Sequence, residues 1–144
     1  MHLSSRLVIG IGNPLRGDDG VGALLAEQVA RQAAVRCVQQ LTPELAAALA
    51  HLDAVLFIDA WLAPAAAVPQ LITLSPAASP TSSHRLEPAA LLELSQALYG
   101  HAPRAQQLLV PASGFEHGTA LSAALQAHLP HARALLHQWL LGHA

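Results

Sequence analysis

The sequence predicts an α/β protein built on a mostly parallel, five-stranded sheet that is covered by helices on both faces. Apolar runs typical of strands alternate with segments that have helical spacing, which is the pattern of parallel sheets. No helical segment separates the third and fourth strands, so one strand is expected to run antiparallel at an edge. The chain has 144 residues, is 53% hydrophobic, and contains no repeat or long linker, so residues 1–144 are expected to form a single domain.

The predicted elements follow one another in a simple order. Strands are predicted at residues 7–11, 35–40, 54–58, 71–74 and 108–110. Helices are predicted at residues 20–34, at 42–51 with Thr42 as cap, from 87 onward, and at 118–128 with a kink or restart at Pro130. The loops after the first, third and fifth strands should meet at the carboxyl end of the sheet, where open α/β sheets bind their ligands.

Composition excludes several classes of function. The chain has no lysine, which removes the phosphate-binding lysine of P-loops and lysine-based catalysis. A net charge of −2 disfavours a nucleic-acid partner. Cys37 is the single cysteine and is expected in the core. No apolar stretch approaches a membrane span or a signal peptide, so the default expectation is a cytoplasmic protein with no membrane partner.

The segment of residues 10–22, GIGNPLRGDDGVG, is the most informative stretch. It does not match the dinucleotide fingerprint, because Leu15 stands where a glycine is needed and two carboxylates would repel a pyrophosphate. No nucleotide is therefore expected, and the glycines indicate a tight turn with close packing. Asp18 and Asp19 lie at a predicted helix start, so one is expected to serve the helix as a cap while the other points into a site.

Asp59 ends a buried apolar run, where a carboxylate is costly unless it is paired or binds a metal. Connectivity brings it close to Asp19, and a cation between the two would relieve their repulsion. Two histidines compete as a third ligand, His84 in the loop before the third helix and His117 in the loop after the fifth strand. His128 and His131 have ligand spacing, but Pro130 lies between them and no acid supports them.

Residues 10–22 resemble the signature of the nickel–iron hydrogenase maturation endopeptidases. Further segments are similar to this family in order and spacing: Phe57-Ile58-Asp59-Ala60, Ser83-His84, and Gly118-Thr119-Ala120-Leu121-Ser122. The resemblance implies a three-layer α/β/α sandwich on a five-stranded mixed sheet. It also implies an endopeptidase that removes the C-terminal extension of the hydrogenase large-subunit precursor after nickel insertion.

Carried over from the family, the metal-recognition residues are Asp19, Asp59 and His84. The resemblance thus favours His84 over His117, which stays the rival because its loop should reach the same rim. Gly10, Gly12, Asn13, Asp18 and Gly118 shape the site. Two carboxylates and an imidazole suit a borderline divalent metal. The family pattern implies that the nickel belongs to the substrate.

Three functions remain open from the sequence: this endopeptidase, a non-cleaving accessory protein that binds metal or precursor, and an unrelated small-molecule hydrolase. A thermolysin-like zinc peptidase is disfavoured because there is no H-E-x-x-H helix. The cleaving group is not identified by the sequence.

Overall fold

The computed structural model describes residues 5–78, 85–115 and 118–142. Its strands are β1 (Arg6–Ile11), β2 (Ala34–Val38), β3 (Ala54–Leu62), β4 (Gln70–Leu74) and β5 (Arg104–Ala112). Its α-helices are α1 (Val21–Gln28), α2 (Leu45–Leu49), α3 (Pro88–Tyr99) and α4 (Ala123–Leu140). A short 3₁₀ helix, Gly17–Gly20, leads into α1.

The five strands form one sheet in the order β2-β1-β3-β5-β4. All neighbouring pairs are parallel except β4 and β5, which are antiparallel at the sheet edge. The predicted fold class is therefore confirmed, including the antiparallel edge strand that follows β3 without an intervening helix.

Alternation along the strands sends side chains to two separate cores, as strand geometry requires. In β3, Leu56 and Ile58 join a core with residues of α1 and α4. Val55 and Phe57 face the other way and join a core with residues of α2 and α3. The sheet is thus covered on both faces, and the layers are those of an α/β/α sandwich.

Two strands are longer than predicted, and this changes the setting of the site. β3 continues to Leu62 and β5 runs from Arg104 to Ala112, because the two strands pair along their whole length. Asp59 therefore lies within β3, not after it. The fifth strand was predicted to end at residue 110, but Pro111 still pairs with Trp61 inside the sheet.

Two helices begin later than predicted. The segment from Thr42 forms turns in which the amides of Leu45 and Ala46 bond three residues back, so α2 itself starts at Leu45. α4 starts at Ala123 with Ser122 as its cap, and Gly118 stands outside it at φ 122°. Pro130 is accommodated inside α4, so the helix does not restart there.

The expectation that Cys37 is a core residue was wrong, because its side chain is exposed. β2 is one of the two edge strands of the sheet, and none of its residues is fully buried. Partial desolvation and the charge of Glu27 raise the pKa of the Cys37 thiol. It is therefore a weak nucleophile.

In the part of the chain that the structure describes, no helix combines the length and apolar character needed to cross a bilayer.

Candidate functional site

The start of α1 is wedged against the ends of β1 and β3 by close backbone packing. A Cβ atom at Gly22 would lie 2.5 Å from the carbonyl oxygens of both Ile11 and Ile58. A Cβ at Gly10 would clash with the carbonyl of Gly22. Only glycines allow this approach. The acidic segment between Gly10 and Gly22 is thereby held at the carboxyl end of the sheet.

Gly12 and Asn13 orient the carboxylate of Asp19. The backbone amide of Asn13 donates to Oδ2 of Asp19 at 2.8 Å, which fixes the carboxylate over the turn. Gly12 has φ 130°, and a Cβ there would clash with the Asp19 backbone and lie 3.0 Å from Oδ1. Any other residue at position 12 would displace Asp19, so the glycine positions this side chain.

Asp18 joins segments that are far apart in sequence. Its buried carboxylate accepts from the amides of Ser113 and Ser122 at 3.0 and 2.7 Å. The hydroxyls of the same two serines also donate to it, at 3.2 and 2.8 Å. The Ser122 hydroxyl in turn accepts from the amide of Leu125 and caps α4. We call Asp18, Ser113 and Ser122 the serine–aspartate cluster.

The expectation that an aspartate of this pair caps its own helix was wrong for Asp18. Neither the 3₁₀ helix nor α1 receives a side-chain cap, and the carboxylate serves the start of α4 instead. Burial opposes ionisation, but the hydrogen bonds from Ser122 and Ser113 outweigh it and hold the pKa of Asp18 below its ordinary value. Asp18 is thus a structural carboxylate, as expected for one member of the pair.

Gly118 anchors the far end of the loop that follows β5. Its amide donates to the carbonyl of Leu15, and its carbonyl accepts from the amide of Gly17, both at 2.8 Å. The Arg16 guanidinium reaches the carbonyl of Phe115 at 3.4 Å in the same loop. The acidic turn and this loop are therefore joined at two places, by these bonds and by the serine–aspartate cluster.

Asp59 lies where the sheet becomes narrower. β1 pairs with β3 only as far as Ile58, whereas β5 continues beside β3 to Ala112. From Asp59 onward, β3 therefore no longer pairs with β1. The side chain is only 14% exposed, yet it lies next to the turn that carries Asp19.

The electrostatics of Asp59 are the reverse of those of Asp18. Burial raises the pKa of Asp59 to about 7, against the lowering effects of Arg85 and the Ala60 amide. The negative charges of Asp19 and Glu87 raise it further. The nearest nitrogen of Arg85 stands 3.9 Å from Oδ2 of Asp59. The described surroundings of Asp59 therefore disfavour its charged form, a property that carboxylates at functional sites often have.

A groove of about 410 Å³ opens beside the carboxylate of Asp19. It is lined by Asn13, Arg16, Asp19, Gln39, Gln40, Arg85 and Phe115. The lining is mostly polar and includes amide, guanidinium and carboxylate groups. Such a groove suits a peptide chain better than an apolar ligand.

No protein-family model matches the chain, and no curated protein matches it significantly in sequence. Solved structures do match. The hydrogenase maturating endopeptidase HybD from E. coli aligns with a TM-score of 0.76 at 19% identity, covering 96% of this chain and 93% of that one.

Two further structures give the same result. The [NiFe] hydrogenase maturation protease HycI from Thermococcus kodakarensis aligns with a TM-score of 0.70 at 19% identity, covering 95% of this chain and 90% of that one. A hydrogenase 3 maturation protease has a TM-score of 0.62 at 18% identity, with 98% and 92% covered. The chain has the fold of the hydrogenase maturation proteases.

Within this fold, Asp19 lies near enough to Asp59 for its negative charge to raise the pKa of Asp59. The two histidines proposed as third ligand, His84 and His117, lie outside the described residues. Among residues 5–78, 85–115 and 118–142, no three His, Cys, Asp or Glu side chains form a group that could hold a metal ion. The described part of the maturation-protease fold thus supplies two carboxylates. That set fits a metal that brings other ligands of its own.

Several residues at this rim of the sheet were not predicted from the sequence. Arg85 has no motif of its own in the sequence, and its proximity to Asp59 depends on the tertiary structure. Ser113 gave no signal, because its partner Asp18 is 95 residues away in sequence. Gly22 could have been found, since it is the last glycine of the same glycine-rich segment as Gly10.

Proposed function

We propose that this chain is an endopeptidase that removes the C-terminal extension of a nickel–iron hydrogenase large-subunit precursor after nickel has been inserted. The likeness in fold to HybD and HycI supports a role in hydrogenase maturation. The resemblance of residues 10–22 to the signature of these endopeptidases supports it independently.

The observation that carries the proposal is the pair of Asp19 and Asp59 at the rim of the sheet. Asp59 is withdrawn from solvent, and the charge of Asp19 disfavours its ionisation. A divalent cation placed between the two carboxylates would offset both the desolvation and the repulsion. We propose that this cation is the nickel of the precursor, with His84 as a third ligand and His117 as its rival.

In this proposal the nickel is substrate and not a resident cofactor. Asp19 and Asp59 recognise it as the sign that the precursor is loaded. The Asn13 amide keeps the Asp19 carboxylate oriented, and β3 holds Asp59 in place. The polar groove beside them then receives the peptide that leads to the scissile bond.

The test is incubation of the purified chain with a nickel-loaded precursor and with the same precursor lacking nickel. We expect the mass of the loaded precursor alone to fall by the mass of its C-terminal peptide. Formation of a complex without any loss of mass would support the non-cleaving accessory protein instead. Equal cleavage of both precursors would show that nickel is not recognised.

A further inference from the structure

Two arginines stand in one row across the amino ends of three neighbouring strands. Arg6 of β1 pairs with Ala54 of β3, and Ala54 pairs with Arg104 of β5. Paired residues of neighbouring strands point to the same face of a sheet, so both arginines share the face of Ala54, which α4 covers. Because strands lie about 4.8 Å apart, the Cα atoms of the two arginines are about 10 Å apart, with one small side chain between them.

Arg6 is held in place by the end of α4. Its Nη1 donates to the carbonyl oxygen of Leu140 at 2.6 Å. Its guanidinium carbon lies 5.4 Å from the centre of the Trp139 ring, which is a cation–π distance. A guanidinium carries several N–H donors, so donors remain beyond the one that bonds Leu140. The half-buried guanidinium of Arg6 is therefore oriented before any ligand arrives.

A cavity of about 250 Å³ lies between this row of the sheet and the end of α4. Both arginines line it, together with the amide of Gln106 and the hydroxyl-bearing Thr73. The described residues that line it include no acid, and within the described part of the chain neither arginine forms an ion pair. Asp53 precedes Ala54 but does not line the cavity, and its carboxylate accepts from the amide of Ser5. The cavity thus contains two positive charges and neutral donors.

The wall between the two arginines is apolar. Ala54 and Trp139 are both buried and both line the cavity. Sites for drug-sized ligands measure about 300–1,000 Å³, so this cavity suits a smaller molecule. Guanidinium groups match the geometry of carboxylate and phosphate oxygens, and the interaction is strongest where the pair is partly withdrawn from water.

We propose that this cavity binds a small organic dianion. One oxyanion group lies at each arginine, and the short carbon chain between them packs against Ala54 and Trp139. The amide of Gln106 and the hydroxyl of Thr73 supply further donors to the ligand. The site lies at the opposite end of the strands from Asp19, so it is distinct from the rim and does not depend on the proposed endopeptidase activity.

The experiment measures binding of sodium succinate by calorimetry, with sodium butyrate as a monoanion of the same chain length. The unmodified chain should bind succinate with a dissociation constant of about 1 mM or below, and about tenfold more tightly than butyrate, because only succinate reaches both charges. High salt should weaken the binding by screening these charges. In NMR spectra, succinate should shift the indole N–H signal of Trp139 and leave that of Trp61, at the other end of β3, in place.

Arg104→Gln tests the charge that is most exposed, and it should bind succinate about tenfold more weakly than the unmodified chain. Arg36→Gln is the matched control. Arg36 is exposed on β2 and pairs with Ile9, which faces α2 and α3, so this variant removes the same charge from the opposite face of the sheet. It should bind succinate as the unmodified chain does. Thermal unfolding of each variant verifies that it is folded.

Unchanged succinate binding by folded Arg104→Gln would overturn the inference, as would an equal loss in Arg36→Gln, which would reduce the effect to net charge. Butyrate that binds as tightly as succinate, or an indole signal of Trp139 that does not move, would also overturn it. The last two measurements use the unmodified chain, so they decide the question even if Arg104→Gln does not fold.

Discussion

Asp18 and Asp59 are carboxylates at the same rim of the same sheet, and their surroundings lead them to opposite properties. Asp18 is 2% exposed and accepts four hydrogen bonds from Ser113 and Ser122. Asp59 is 14% exposed, and the charge contact of Arg85 and the Ala60 amide do not offset its burial. Burial alone therefore does not distinguish a structural carboxylate from a candidate functional one. The two differ in the number of hydrogen-bond donors that the protein supplies to the carboxylate.

The difference separates two tasks within one acidic cluster. The hydrogen bonds around Asp18 lower its pKa, so it stays ionised and holds the loop after β5 to the turn after β1. Burial and the charge of Asp19 raise the pKa of Asp59, so its ionised form is disfavoured. The protein thus stabilises the charge of Asp18 with its own groups, and in the proposed function the charge of Asp59 is neutralised by the metal of the substrate.

The largest expected effect is on cleavage by Asp59→Asn. A neutral amide is a poor ligand for a divalent metal, so processing of nickel-loaded precursor should fall by about a thousandfold, comparable to the loss of a principal electrostatic group. The rate of release of the C-terminal peptide measures it. Glu93→Gln removes one charge from the exposed surface of α3 and should cleave normally. Near-normal cleavage by Asp59→Asn would remove Asp59 from the metal site.

The second prediction concerns stability and pH in the metal-free protein. The pKa of Asp59 is about 7 when folded and has a reference value of 3.8, so the folded chain binds this proton more tightly than the unfolded chain. The two states are equally protonated only well below the reference pKa of 3.8. Between pH 4 and 7 ionisation favours unfolding, with a cost that approaches about 4 kcal/mol at most above pH 7.

Asp59→Asn does not titrate and should escape this cost. Its advantage in free energy of unfolding over the unmodified chain should grow from pH 5 to pH 8, measured by denaturant titration with a chelator present. An advantage that is constant with pH, or a variant less stable at pH 8, would mean that the native site favours the charged form of Asp59.

The third prediction is that a change in the serine–aspartate cluster lowers stability more than it lowers cleavage. Asp18→Ala removes the acceptor for Ser113 and Ser122 and should lower the free energy of unfolding by about 3 kcal/mol, as for a buried charged hydrogen-bond partner. Thermal unfolding measures the change. Cleavage, assayed well below the transition, should fall much less than in Asp59→Asn. A stable Asp18→Ala that cannot cleave would reverse the assignment of the two carboxylates.

The sequence was sufficient for much of the fold because its signals are local. Alternating apolar runs and the missing helix before β4 indicated the mixed sheet, and the glycines at Gly10 and Gly12 indicated close packing after β1. Connectivity alone predicted that Asp19 and Asp59 approach each other. All of these depend on residues near one another in the chain or on the general geometry of parallel sheets.

The remaining features depend on distant partners and were not predictable in the same way. The donors to Asp18 are 95 and 104 residues away, so its role could not be distinguished from a helix cap. β3 extends past Asp59 because β5 pairs with it as far as Ala112. Exposure of Cys37 follows from the position of β2 at the sheet edge, which strand order in the sequence does not specify.

The most direct measurement is the titration of the carboxyl carbons of Asp18 and Asp59 by NMR in the metal-free protein. Asp59 should titrate near pH 7, and Asp18 should remain ionised to below its ordinary pKa of 3.8. Assignment follows from Asp59→Asn, in which the signal that titrates near neutrality should disappear. If both carboxylates instead titrated together near pH 4, the two would have equivalent surroundings. The division between a structural and a cation-binding carboxylate would then be contradicted.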